Sequence, residues 1–207
     1  MSERGCFIAF EGVEGSGKST HLRRTAEALR GGPREVVETR EPGGTALGRE
    51  LRNLLMHRLD LVPAPLTELL LYLADRAQHL AEVVQPALAR GAVVLTDRFS
   101  ASTIAYQGFA RRLDVDTVSR LDALVRRGVT PHCTLLLDCP AAVGLQRAQG
   151  ADRFHAERLE FHERVRGGFL SLAEHDRQHY RVIDATRPLE EVQAAVMTAV
   201  TECLQQR

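Results

Sequence analysis

Lysine and tryptophan are nearly missing from this chain. Its 207 residues hold no tryptophan and a single lysine, Lys18, against 26 arginines. Any motif that needs a second lysine is therefore excluded. Cysteine is sparse as well: Cys6, Cys133, Cys139 and Cys203 form no CxxC pair and no Cys/His array with zinc-ligand spacing. The apolar run 6–10, behind the mixed-charge start MSERG, is too short for a secretory leader. Reduced thiols and a cytoplasmic location are the expectation. No apolar stretch approaches the ~18 residues of a membrane span, so no membrane association is expected. Neither charge is in excess, since 27 basic residues balance 27 acidic ones. A general nucleic-acid binder would carry a basic surplus, so none is expected as a partner.

What is present is ordinary for a globular protein: 44% hydrophobic and 26% charged residues. A chain of this length buries enough surface to fold without a disulfide or metal staple. Apolar runs at 6–10, 35–39, 92–96, 133–137 and 180–183 read as strands. Most are continuous rather than alternating, as in strands covered on both faces. Between them, apolar residues recurring at three and four predict helices over 18–30, 45–57, 66–89, 115–127, 140–148, 156–175 and 189–204. Pro86 should kink or split the third of these, and Gly91 closes it. No repeat, low-complexity tract or interdomain linker interrupts the pattern. The expectation is one α/β domain over 1–207, a five-stranded, mostly parallel sheet with helices on both faces. In such sheets ligands bind beyond the carboxyl ends of the strands.

Directly after the first strand stands Gly12-Val13-Glu14-Gly15-Ser16-Gly17-Lys18-Ser19, a G-x-x-x-x-G-K-[ST] phosphate loop. Its glycines let successive N–H groups turn toward a β-phosphate at the start of a helix. Lys18 adds a compact charge toward the β/γ oxygens, and the Ser19 hydroxyl is placed to hold Mg²⁺. That the only lysine falls here favours the functional reading over a mere glycine turn. Asp97, ending the third strand, is the expected second anchor of the Mg²⁺ shell, with Arg98 beside it as a phosphate contact. A guanine-reading switch needs N-K-x-D, which a chain without lysine after position 18 does not contain. A mechanochemical ATPase needs more sensor apparatus than 207 residues offer. A small kinase fits best.

Several segments then resemble the thymidylate kinase (dTMP kinase) family along nearly the whole chain. They are Phe10-Glu11-Gly12 through Thr20; Thr39-Arg40-Glu41-Pro42-Gly43-Gly44-Thr45; Asp97-Arg98-Phe99 followed by Ser102-Thr103-Ile104-Ala105-Tyr106-Gln107-Gly108; Leu136-Leu137-Asp138; and Ile183-Asp184-Ala185. The resemblance implies a P-loop kinase fold and transfer of the γ-phosphoryl of ATP to dTMP, giving dTDP and ADP with Mg²⁺, in a homodimer. It implies that ATP meets Gly12, Val13, Glu14, Gly15, Ser16, Gly17, Lys18, Ser19 and Thr20, and that Ser19 and Asp97 serve the metal. On the dTMP side, Arg40 and Arg98 would hold the phosphate and Pro42 would pack under the nucleotide. Tyr72 would stack on the base while Arg76, four residues on, bonds a ring carbonyl. Ser102, Thr103 and Gln107 would contact the base and its neighbourhood. Tyr106 would crowd the sugar 2′ position, and Glu14 would reach the 3′-hydroxyl. Glu11 either supports these contacts or satisfies loop N–H groups. Since position 16 is Ser and not Arg, charge on the transferred group would come from a lid at about 146–158. Arg147 and Arg153 are its candidates, with Arg158 as an alternative. The catalytic set is then Lys18, Arg98, Arg147 and Arg153. Two rivals are a kinase for another nucleotide or a deoxynucleoside, and a non-enzymatic P-loop binding module. The Arg40 and Tyr106 segments argue against the first, and the acceptor-site residues against the second.

Overall fold

The computed structural model describes residues 5–148, 154 and 157–206. Its strands are β1 (Cys6–Glu11), β2 (Val36–Arg40), β3 (Val93–Asp97), β4 (Cys133–Asp138) and β5 (Tyr180–Asp184), in the order β2-β3-β1-β4-β5. Every pairing is parallel. β1 lies at the centre and is buried at every position, which is why its sequence runs apolar without alternation. Its two faces enter different cores. Cys6, Ile8 and Phe10 pack with Leu22, Ala26, Val196 and Val200. Phe7 and Ala9 pack with Leu80, Val84, Ala87 and Phe99.

The helices are α1 (Lys18–Leu29), α2 (Ala46–Arg52), α3 (Pro65–His79), α4 (Gln85–Ala89), α5 (Ser100–Thr103), α6 (Val115–Arg126), α7 (Ala141–Arg147), α8 (Leu159–His175) and α9 (Leu189–Gln205). None among the described residues is long and apolar enough to cross a membrane. Thr45 caps α2 by accepting the Gly48 N–H at 2.9 Å. The stretch expected as one helix over 66–89 is divided. α3 widens into a π turn at Leu80–Val84, where the Gln85 N–H reaches back to the Leu80 carbonyl, and α4 follows. The wider turn comes immediately before Pro86, which has no N–H to continue an α ladder.

Sequence periodicity missed one helical run entirely. α5 and the wide turn Ile104–Ala110 occupy a stretch with no predicted helix. Ala101, Ser102, Thr103, Ala105, Tyr106, Gln107, Gly108 and Ala110 are all buried there. A helix enclosed on nearly every side has no polar stripe, so its pattern carries no 3.6-residue period. α8 also begins at Leu159, later than the expected 156. On α3, Leu73 is buried with Leu69 and Val118 against α6, whereas Leu66 and Leu70 are exposed.

Parallel register brings distant segments together at the carboxyl edge. Arg40 pairs with Asp97, and Asp97 with Phe10. β1 then leaves the sheet at Gly12, whose φ of 141° suits glycine and whose added Cβ would lie 2.4 Å from the Leu137 carbonyl oxygen. Gly15 is equally constrained, since a Cβ there would meet the Gly144 oxygen at 1.9 Å.

Candidate active site

Two clefts open at this edge and share one wall. The first is lined by Glu14, Gly15, Lys18 and Ser19 from the loop, Arg40, Glu41 and Pro42 after β2, Arg52 and Met56 in and after α2, and Tyr72 and Arg76 on α3. Asp97, Arg98 and Phe99, then Ser102, Thr103, Tyr106 and Gln107, and finally Phe154 complete it. The second is lined by Glu14 through His21, Arg147, Ala148, Ala185, Arg187, Leu189 and Val192. Glu14, Gly15, Lys18 and Ser19 face both. A ligand in each cleft would therefore meet the other across Lys18.

The buried Lys18 ammonium donates to the Val13 carbonyl at 2.7 Å and lies 3.4 Å from Ser16 Oγ. Gly12 and Val13 line neither cleft; they shape the loop, and Val13 holds the lysine. The Ser19 hydroxyl donates to Asp97 Oδ2 at 2.5 Å, so the two oxygens expected to serve the metal lie side by side. Arg98 sits in left-handed backbone at φ 74°, which turns its guanidinium back across the loop. It donates to the Gly12 carbonyl at 3.3 Å, Ser102 Oγ at 2.8 Å and the Tyr106 hydroxyl at 3.2 Å, and lies over the Tyr106 ring. Below it, Glu11 accepts the Phe99 N–H at 2.8 Å, the Ser102 N–H at 3.2 Å and the Ser102 hydroxyl at 2.6 Å. Glu11 thus anchors the loop after β3 that presents Arg98, and does not bind the phosphate loop's own N–H groups.

Every residue expected around the acceptor lines the first cleft: Glu14, Arg40, Pro42, Tyr72, Arg76, Arg98, Ser102, Thr103, Tyr106 and Gln107. Some are more committed than sequence could show. Ser102 spends its hydroxyl on Glu11 and Arg98. Arg76, 2% exposed, is clamped by Glu41 at 2.8 Å and by Asp122, and stacks on Phe99. Arg147 lines the second cleft from the last turn of α7 and donates to the Ala185 carbonyl at 2.7 Å. Arg153 lies outside the described residues. Arg158 is exposed before α8 and lines neither cleft.

Sequence reasoning missed Arg52, Met56 and Phe154 in the first cleft and Arg187 in the second. Nothing marks Arg52 among so many arginines. The fold nevertheless sets it near Arg40 and Arg98: burial first, then these two charges, hold its pKa below the usual arginine range. Three guanidiniums gathered at one cleft make a site for a multiply charged anion.

Two groups are displaced in opposite senses. Burial pushes the Glu11 carboxyl up to about 7, against its bonds to Ser102 and Phe99 and the charge of Arg98. Burial, then repulsion by Arg98, pushes the Lys18 ammonium down to about 7, although Asp97, Glu11 and Glu14 favour its charge. A carboxyl that titrates higher in the folded state makes stability fall as pH rises from about 4.5 to about 7. An ammonium that titrates lower when folded makes stability rise from about 7 to 10.5. The unliganded protein is therefore expected to pass through a stability minimum near neutrality, read by denaturant melts across that range. Glu11→Gln should flatten the acid limb and Lys18→Met the alkaline one. A profile that neither variant changes would refute the assignment. An arriving phosphate restores the charged lysine, so nucleotide should fill the minimum in.

The family model described as thymidylate kinase matches residues 10–196. The chain is 49% identical over 212 residues to the thymidylate kinase of Geobacter sulfurreducens, covering 98% of each. It is 50% identical over 204 residues to that of Pseudomonas fluorescens, covering 97% of each. The crystal structure of thymidylate kinase from Ehrlichia chaffeensis matches with a TM-score of 0.80 at 34% identity, over 96% of this chain and 99% of that one.

Proposed function

This chain belongs to the thymidylate kinase family, and we propose that dTMP occupies the cleft between Tyr72 and Tyr106 while ATP lies in the cleft on the far side of the phosphate loop. The reaction is transfer of the γ-phosphoryl of ATP to dTMP, giving dTDP and ADP on the way to dTTP. The observation that carries the assignment of clefts is their common wall at Glu14, Gly15, Lys18 and Ser19. Donor and acceptor then approach each other at the only lysine in the chain.

The acceptor is a phosphate oxygen already ionised at neutral pH, so no strong general base is needed. The difficulty is to bring two anions together in line. Arg40, Arg52 and Arg98 hold the acceptor phosphate. Lys18 stabilises charge on the transferring group, joined from the ATP side by Arg147 and from the lid by Arg153. Ser19 and Asp97, hard oxygen donors in contact beside Lys18, fit Mg²⁺, which takes one or two protein oxygens and completes its shell with phosphate and water. When bound, the ion neutralises charge on the phosphate oxygens. Leu66 and Leu70, exposed one turn apart on α3, are the apolar face for a second copy.

Tyr106 tests the acceptor assignment. Its ring is boxed by Phe154, Phe161 and Phe169 at centroid distances of 5.4, 6.2 and 6.3 Å, and its hydroxyl is tied to Arg98. It has no room to yield to an added sugar hydroxyl. A coupled ADP-release assay over a panel of nucleoside monophosphates should show dTMP as the preferred acceptor. In Tyr106→Ala the dTMP to ribo-TMP ratio should fall about tenfold or more, the scale of discrimination by a small group in a tight pocket. Equal losses on both substrates would make Tyr106 a packing residue.

A further inference from the structure

Behind the acceptor cleft, Gln107 meets a carboxylate that leaves it one orientation. Gln107 is 1% exposed and lines the cleft. Its Nε2 donates to Glu68 Oε1 at 2.9 Å. Glu68, in the first turn of α3 and 2% exposed, is itself gripped by Arg111, whose Nε and Nη2 reach its two oxygens at 3.2 and 3.4 Å. Arg111 is fixed in turn by Glu157 at 2.5 Å and by the face of the Phe161 ring at 4.8 Å. A carboxylate held by a guanidinium offers acceptors only. The end of the Gln107 amide that faces it must be the NH₂. The carbonyl oxygen is left for the cleft. An unconstrained glutamine offers donor or acceptor by rotating its amide; here the rotation would set a carbonyl against a carboxylate.

Arg76, lining the same cleft, has only donors to offer. The cleft therefore presents a donor and an acceptor. Thymine carries a carbonyl at C4 beside an N–H at N3, which pairs with both. Cytosine carries an amino group at C4 beside a bare ring nitrogen, so each of its groups meets its own kind. We infer that Glu68 is a specificity-positioning residue, which fixes the Gln107 amide and so restricts the acceptor to pyrimidines with a 4-carbonyl and an N3 hydrogen. The inference rests on the placement of dTMP in this cleft. A buried polar group left unpaired by the wrong ligand is the costliest mismatch such a site can impose.

The test is steady-state kinetics on dTMP, dUMP and dCMP. In Glu68→Gln the new amide can donate to Gln107, which is then free to turn its NH₂ toward the base. The dTMP to dCMP ratio of kcat/KM should fall about 10- to 100-fold, chiefly through a raised KM for dTMP. The dTMP to dUMP ratio should stay constant, because those bases share the recognised edge. Glu68→Asp, still an acceptor-only group, should keep most of the preference against dCMP. Losses by a common factor on all three acceptors would show a merely structural role and overturn the inference. Thermal melting establishes that each variant is folded. Should Glu68→Gln not fold, 3-methyl-dTMP carries the test on the wild-type enzyme. It lacks the N3 hydrogen and should bind at least tenfold more weakly than dTMP; equal binding overturns the inference. A wild-type panel in which dTMP is not preferred would instead sink the placement of dTMP, and it would do so before any variant is made.

Discussion

Lys18→Ala is expected to lower kcat/KM for dTMP phosphorylation by at least 10²–10³, the scale lost with one preorganised donor at a developing charge. No other lysine exists to substitute for it. Arg98 is the like charge that acts on Lys18, but its three bonds to Gly12, Ser102 and Tyr106 tether the guanidinium and keep it from swinging into the vacated position. The effect should lie mainly in kcat, because the charge that Lys18 meets grows as the phosphoryl group moves. The fold should survive and even gain, since burial of the ammonium and its repulsion by Arg98 are both relieved. Steady-state kinetics with a parallel thermal melt separates these outcomes. A folded Lys18→Ala enzyme with near-normal turnover would remove Lys18 from the mechanism.

The largest stability effect is expected at Arg76. Its guanidinium is enclosed between Glu41, which follows β2, and Asp122 on α6, above the Phe99 ring at 4.9 Å. Arg76→Leu would leave two buried carboxylates without their shared cation. Removing one partner of a buried ion pair costs about 3–5 kcal/mol. The lower end is expected here, because each carboxylate keeps a partner. Glu41 retains His79 at 2.7 Å, and Asp122 retains Arg126 at 2.7 Å and the Ser100 hydroxyl at 3.0 Å. Equilibrium denaturation should therefore show a loss of about 3 kcal/mol. A loss under about 1 kcal/mol would mean that the apolar packing of α3 against α6, and not this ion cluster, holds the acceptor wall in place. The arginine expected to read the base is thus also a structural tie, and its variants need stability and kinetics measured together.

These two residues also mark how far sequence reaches. Lys18 was legible as a candidate because everything that defines its proposed role is local. The strand 6–10, the glycines at fixed offsets and the helix start lie within a few residues of one another, and a phosphate loop works through contiguous backbone. The apolar runs of β1, β3 and β4 were legible for the same reason, since parallel strands buried on both faces need apolar residues at nearly every position. The residues proposed for the acceptor could be named through family segments, but their grouping depends on parallel register, which sets Arg40 beside Asp97 across β2 and β3. Only the tertiary structure decided the rest. The helical run from Ser100 to Ala110 was invisible because enclosure erases periodicity. Arg52 was invisible because its neighbours Arg40 and Arg98 are distant in sequence. Phe154 lies in the segment proposed as a lid, yet its ring meets edge-on, at 5.4 Å, that of Tyr106, a residue distant in the chain. Glu11 could be read two ways until its hydrogen bonds placed it under the loop after β3, and Glu68 carried no signal at all until it was found against Gln107. Local spacing encodes groups that act through consecutive backbone. A side chain that acts by holding another has its meaning only in the packing that brings the two together.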